Sequence, residues 1–349
     1  MNKVTEPVRW PLPRMDDTIA RLGDYQYFTT IDLAWGFWAC EVDERDQEKT
    51  SFVTEDGQYK WTRMPMGWQG APGTFQKATD LLLRGMKGDT VLAYIDDLIV
   101  FTKTFEDHAV QVAEVCKRLH TAGRAVKVAK VHWAQSEVTF LGFRVGNGLV
   151  TPIQSKVRKV LDLKEPHDDV SMQTFLGSVG VYRKFLPDLS SLTAPMYKIG
   201  SAPGVVEAKP FAERWNKACQ LSFGRVRIAL EKMAGLELPK GGYEQAIQLD
   251  GDRSGFGGVF LQRRSSEYPW KPLEYFSGTY RESDRKRTGP ERIVMAASYI
   301  LDKVRPYINP GQSLCVFTEE PGLQWALDPH MVTGRALKAA LTAGTFNLK

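Results

Sequence analysis

Asp96 and Asp97 stand side by side between two apolar runs, Val91-Leu92-Ala93-Tyr94-Ile95 and Leu98-Ile99-Val100-Phe101. Such runs read as strands, which puts the two acids in a tight connection. A two-residue hairpin loop favours Asn-Gly or Asp-Gly, because a type I′ turn needs φ > 0 at both positions. Asp-Asp is a poor choice on that ground. Two carboxylates about 4 Å apart also repel by roughly 4 kcal/mol at an effective dielectric near 20. A divalent cation would turn that repulsion into attraction, so the pair reads either as a metal site or as an exposed acidic turn. A third acid, Asp32, closes the run Tyr27-Phe28-Thr29-Thr30-Ile31; alone it is an ordinary turn residue. If these strands are neighbours, the carboxylates would hold two Mg²⁺ ions about 3.5–4 Å apart. Mg²⁺ takes one or two carboxylates and completes its shell with water and substrate phosphates. The chemistry served is phosphoryl transfer, one ion activating an attacking 3′-hydroxyl and the other stabilising the departing pyrophosphate.

The elements that must position these acids follow from the pattern around them. After Thr104, a capping residue, Ala109, Val112, Cys116 and Leu119 recur at helical spacing, and Gly123 ends the helix. Strand and helix interleave over residues 1–150, which gives the α+β class. Residues 151–240 are more helical. Ser171 is expected to cap a helix carrying Phe175, Leu176, Val179 and Tyr182 that stops near Pro187, and a second helix holds Phe211, Trp215, Ala218 and Leu221. The small residues of Ile199-Gly200-Ser201-Ala202-Pro203-Gly204 read as a linker. Strands return at Gln245–Leu249, Gly258–Leu261, Pro272–Phe276 and Leu314–Thr318, with a helix Pro290–Val304 that has proline at its first position.

Length and composition bound the rest. The 349 residues suffice for two or three domains, and 43% apolar with 25% charged residues are globular values. No run of 18 apolar residues exists, so no transmembrane helix and no membrane partner are expected. The N-terminus through Trp10 shows no signal-peptide core, and the four cysteines at 40, 116, 219 and 315 form no C-x-x-C pair. A disulfide framework or zinc site is therefore not expected, and a reducing intracellular setting fits. A net charge of +5 agrees with a nucleic-acid partner without requiring one.

Tyr94-Ile95-Asp96-Asp97 resembles the Tyr-x-Asp-Asp box of reverse transcriptases, and Phe28-Thr29-Thr30-Ile31-Asp32-Leu33 resembles that family's first acidic motif. Met64-Pro65-Met66-Gly67-Trp68-Gln69-Gly70-Ala71-Pro72-Gly73-Thr74-Phe75-Gln76 is similar to the segment between them, which supports template and nucleotide. Phe140-Leu141-Gly142 resembles the strand that helps grip the primer. Pro11-Leu12-Pro13-Arg14 and the stretch from Phe175-Leu176-Gly177 to Phe185 resemble the gypsy-type branch of LTR retrotransposons. The resemblance implies a partial right hand: truncated fingers and palm over 1–145, a helical thumb and connection over 146–240, and an incomplete ribonuclease H-like α/β domain over 241–349. It implies Asp32, Asp96 and Asp97 as catalytic and metal-binding acids, for two Mg²⁺ or Mn²⁺ ions. Phe37 would be a steric gate under the sugar, and Met66 and Gly67 would meet the nucleotide. The partners implied are an RNA template, a DNA primer and dNTP, in a cytoplasmic particle or the nucleus.

The C-terminal resemblance weakens along its length. Asp250 would be the first ribonuclease H acid, but Ile293 falls at the expected Glu and Glu319 at an expected Asp. Glu291 lies two residues from the Glu position, about 200° around a helix. The chain also stops before that domain's usual last acid, and the upstream fingers strands are missing. A ribonuclease H-like domain with little or no activity is expected, with Asp250 and Glu319 vestigial. Lys117, Arg118, Arg124, Lys127 and Lys130, and likewise Lys156, Arg158 and Lys159, read either as phosphate contacts or as solvated faces. Trp10, Trp61 and Trp68 read as core rather than as base-stacking platforms. The alternative to an RNA-directed DNA polymerase is a catalytically impaired nucleic-acid-binding remnant.

Overall fold

The computed structural model describes residues 2–6, 10–200, 209–309 and 311–349. The chain divides into two compact units, Met1–Gly148 and Leu149–Lys349. The expected thumb or connection helices and the ribonuclease H-like sheet both lie in the second. Ile199 and Gly200 end a helix, while residues 201–204 of the expected linker lie outside the described residues. Among the described residues no helix is long and apolar enough to cross a membrane.

The first unit is built on an antiparallel sheet of β1 (Tyr27–Asp32), β2 (Val91–Tyr94), β3 (Asp97–Thr102) and β4 (His132–Gln135), in the order β2-β3-β1-β4. β1 and β3 are the inner strands and are buried along nearly their whole length, as their unbroken apolar and threonine runs require. Helices α1 (Ala71–Leu82) and α2 (Phe105–Thr121) add Phe75, Val112, Val115 and Leu119 to the core around Ile31, Leu98 and Val100. Thr104 caps α2 as expected, its hydroxyl accepting from the Asp107 N–H at 3.2 Å. The buried face of α2 is rotated from the expected one: His108, Val112, Val115 and Leu119 are buried, whereas Ala109 and Cys116 are exposed. Polar His108 was not counted as a core residue, yet it is fully buried between Thr29 Oγ1 (2.6 Å) and Thr102 Oγ1 (3.1 Å). Phe140 ends one strand of a hairpin, Glu137–Phe140 with Phe143–Gly146, whose loop is Leu141-Gly142 with φ of 48° and 88°.

The second unit carries a sheet of β5 (Glu244–Gly251), β6 (Gly255–Arg263), β7 (Lys271–Thr279) and β8 (Leu314–Phe317), in the order β7-β6-β5-β8. β5 and β8 run parallel and the other pairs antiparallel. The long helix Gly289–Val304 covers it with Ile293, Val294, Ala297, Ile300 and Leu301. Thr288 caps this helix and Pro290 is its second residue, not its first. The helices Asp169–Gly180, Leu189–Gly200 and Lys217–Glu231 are among those that precede the sheet. Ser171 is not the cap of the first of these. Asp168 is, and Ser171 is the third residue of a reciprocal capping box. The helix expected from Phe211 through Leu221 is broken in two, because the Asn216 side chain accepts from the Ala218 and Cys219 N–H groups and starts a new helix there. Helix Leu189–Gly200 was not expected at all; its interior Pro195 masked the pattern.

Candidate active site

The sheet register brings the three acids to one end of the first unit. Asp32, last in β1, is the Cα partner of Asp97, first in β3, and Asp97 is in turn the partner of Tyr94. The hairpin loop is therefore Ile95-Asp96, not Asp96-Asp97 as the apolar runs suggested. The left-handed position is Ile95, with φ of 53°. A β-branched residue is strained there, so other contacts must hold it.

Gln76 of α1 supplies those contacts. It is fully buried; its Oε1 accepts from the Ile95 N–H at 2.8 Å and its Nε2 donates to the Ala93 carbonyl at 3.1 Å. The same Nε2 donates to Asp80 Oδ1 at 2.8 Å, and Asp80 also receives Trp10 Nε1 at 2.8 Å and Lys87 Nζ at 2.6 Å. One amide thus holds the strained residue's own N–H and the carbonyl two residues before it, and is itself held by a network. Gln76 stood only as the end of a motif in the sequence; nothing in its spacing reveals this role.

Asp96 is the least satisfied acid. Its Oδ1 is one of three buried side-chain N or O atoms without a hydrogen-bond partner among the described residues. Gly36 makes room for it, since a methyl group added there would overlap the carboxylate. Burial first, then the charges of Asp97 and Asp32, push the Asp96 carboxyl above its ordinary value against the pull of Lys127. Asp32 has the opposite setting. Burial disfavours its charge, but hydrogen bonds from Lys127 Nζ (2.6 Å) and Lys130 Nζ (3.0 Å) outweigh that and hold it below the ordinary carboxylate range. Lys127 and Lys130 thus pair with Asp32 while remaining on an exposed face. Arg118 and Arg124 are also internal ties, the first to Glu114 and the Leu82 and Arg84 carbonyls, the second over the Phe75 ring.

Among the described residues no three His, Cys, Asp or Glu side chains converge into a ready-made metal cage. Asp32 is paired with Lys127 and Lys130 instead. The donor set is still all oxygen, and an unpartnered buried carboxylate oxygen beside two further acids fits a hard divalent ion that takes few protein ligands.

Phe37 follows Gly36 directly and is half-buried, edge-on to Phe75 at 5.9 Å. Met66 and Gly67 form an exposed turn, Gly67 with φ of 84° and Met66 68% exposed. Asn2 pins the turn through the Gly67 carbonyl and the Gln69 N–H, each at 3.0 Å. Trp61 belongs to a run of rings, Trp35–Trp38–Trp61–Phe52–Tyr59, with centroids 5.2–6.5 Å apart, that ties the short hairpin Phe52–Thr54 and Gly57–Tyr59 to the unit. Trp10 and Trp68 are half-buried and donate to Asp80 and Thr5.

Residues 1–145 match the family described as reverse transcriptase (RNA-dependent DNA polymerase), and residues 215–314 match the RNase H-like domain found in reverse transcriptase. The chain is similar to the retrovirus-related Pol polyproteins of transposons, gypsy among them. It is 29% identical over 325 residues to the retrovirus-related Pol polyprotein from transposon 297 of Drosophila melanogaster, covering 93% of this chain and 30% of that protein. It is 28% identical over 332 residues to that of transposon gypsy of the same organism, covering 94% and 32%. The chain thus spans about a third of the length of these relatives. Its fold is that of the foamy viral protease-reverse transcriptase, with a TM-score of 0.78 to the complex with RNA/DNA hybrid and 0.82 to a dRH form in complex with double-stranded DNA. Both matches are at 23% identity over 100% of this chain, and they cover 46% and 60% of those chains.

In the ribonuclease H-like unit, Asp250 lies near the end of β5 and Glu319 just past β8. The parallel pairing of these strands ends at Gln248 with Phe317, before either acid. Ile293 is 2% exposed in the core, and Glu291 is consumed by the Thr288 N–H (3.1 Å) and Arg287 (3.0 Å).

Proposed function

We propose that this region catalyses template-directed transfer of a nucleotide from dNTP to a primer 3′-hydroxyl on RNA, as the polymerase part of a retroelement protein working in a cytoplasmic particle or the nucleus. The observation that carries this is the orphaned Asp96 carboxylate, set against Gly36 on a strained turn and beside Asp32 and Asp97. Folding alone gives no reason to keep a buried, unpaired carboxylate oxygen.

Asp32, Asp96 and Asp97 would hold two Mg²⁺ ions, which supply charge neutralisation for the triphosphate and acidify the primer hydroxyl. The chain's own residues do the rest. Gln76 holds the turn so that the Asp96 carboxylate stays in place. Lys127 and Lys130 keep Asp32 ionised and stand ready to turn to phosphate oxygens. The Phe37 ring would lie under the sugar and exclude a 2′-hydroxyl. Exposed Met66 would pack on the nucleotide or template, with Gly67 allowing close backbone approach.

The test is extension of an oligo(dT) primer on poly(rA). Synthesis should require a divalent ion and disappear in Asp96→Asn. Phe37→Ala should admit rNTP where the parent rejects it. Salt-sensitive hybrid binding with no extension under any divalent ion would favour the impaired remnant instead.

A further inference from the structure

A second site lies in the unit Leu149–Lys349, away from its acids. A cleft of about 490 Å³ is lined by Arg183, Lys198 and Arg285 together with Ser190, Thr193, Tyr197 and Thr279, and no carboxylate lines it among the described residues. We propose that this cleft binds one nucleotide unit of a nucleic-acid strand, taking its phosphate between the three cations and its sugar or base against Tyr197.

The fold builds the cleft rather than leaving three loose side chains in solvent. Ser190, Thr193, Tyr197 and Lys198 recur at helical spacing along one face of the helix Leu189–Gly200. That helix is fixed to the strand Lys271–Thr279, since the Ser190 N–H donates to Ser277 Oγ at 3.0 Å within buried surroundings. Arg183 reaches in from the preceding turn and donates to Ser190 Oγ at 3.2 Å. Arg285 ends the short helix Glu282–Arg285 and is anchored by its Nε on the Tyr280 carbonyl at 3.2 Å. Ser190 and Thr193 form a buried hydroxyl floor.

The charges are the deciding feature. Most of the surrounding cations have acids of their own: Arg214 has Asp169, Arg263 has Glu244, and Arg287 and Arg335 share Asp284. Among the described residues, Arg183 and Arg285 meet a hydroxyl and a carbonyl and no carboxylate. Three cations around one cavity repel one another, and an oxyanion reverses that cost. Arginine forks and hydroxyl donors suit a phosphate's several oxygens. Tyr197, 53% exposed, adds the ring that strand-binding proteins place beside such cations.

This rests on the reading of the region as one that handles nucleic acid, but its test does not pass through polymerisation. The anisotropy of a fluorescein-labelled RNA/DNA hybrid is titrated with the full chain in EDTA, at salt from about 50 to 200 mM. Arg183→Gln, Lys198→Gln and Arg285→Gln are combined in one variant. Lys217→Gln, Lys232→Gln and Arg264→Gln, on exposed residues outside the cleft, make the control. The cleft variant should show a log–log salt slope shallower by about 0.9, the change for one lost phosphate contact, with its thermal midpoint unchanged. The control should keep the parent slope. A folded cleft variant with the parent slope overturns the proposal. So does displacement of a fluorescent nucleotide from the cleft by inorganic phosphate without displacement by the hybrid, which would make it a free-anion site. Cleft-dependent binding in a chain that fails to extend primers would remove the polymerase reading and leave this one standing. Extension with an unchanged slope would do the reverse.

Discussion

The two units place acids at the ends of strands in opposite ways. In the first, Asp96 is half-buried with an unpartnered oxygen, a glycine cleared beneath it and a strained isoleucine beside it. In the second, ordinary folding roles are filled instead: Ile293 lies in the core and Glu291 closes a helix cap. Local rules broken without a folding benefit are what a site kept for chemistry shows, and the second unit breaks none at the matching positions.

The sharpest way to break this contrast is to put the missing acid back. Ile293→Glu should destabilise the second unit by on the order of 4 kcal/mol, the cost of an unpaired charge in a packed core, and should restore no ribonuclease H cleavage. Denaturant melts and a hybrid-cleavage gel would show it; a stable, cleaving variant would mean that the site is only one residue from function. Gly36→Ala comes next. Its methyl would push the Asp96 carboxylate aside, and a displacement near 1 Å costs about 100-fold in rate, so extension should fall far more than stability. Gln76→Leu should cost about 2 kcal/mol by leaving the Ile95 N–H and the Ala93 carbonyl unpaired, and should also lower kcat by loosening the turn. The smallest effect concerns His108. Burial holds its folded pKa below the ordinary value near 6.5, so the unfolded chain binds the extra proton first. Stability of the first unit should be full above pH of about 6.5 and fall as pH drops below it, while a His108→Gln variant gives a flatter pH–stability curve.

The sequence carried the sheet acids because motif order survives where geometry is demanding. It also carried the strands, whose apolar runs are short and bounded by turn residues. It misplaced the hairpin loop by one residue, since the strain at Ile95 comes from a tertiary clamp by Gln76 and not from local turn preference. It missed the helix Leu189–Gly200, because an interior proline outweighs periodicity in any local reading, and it merged two helices that Asn216 separates. Lys127 and Lys130 read as either surface or phosphate ligands; only the fold brings them to Asp32, nearly a hundred residues earlier.

The account turns on Asp96 being kept for chemistry at the expense of comfort in the fold. Primer extension and thermal unfolding of Asp96→Asn, measured on the same preparation, test this most directly. The account predicts a variant at least as stable as the parent that extends no primer with Mg²⁺ or Mn²⁺. An Asp96→Asn chain that still extends the primer, or one that loses activity only because it unfolds, would contradict it.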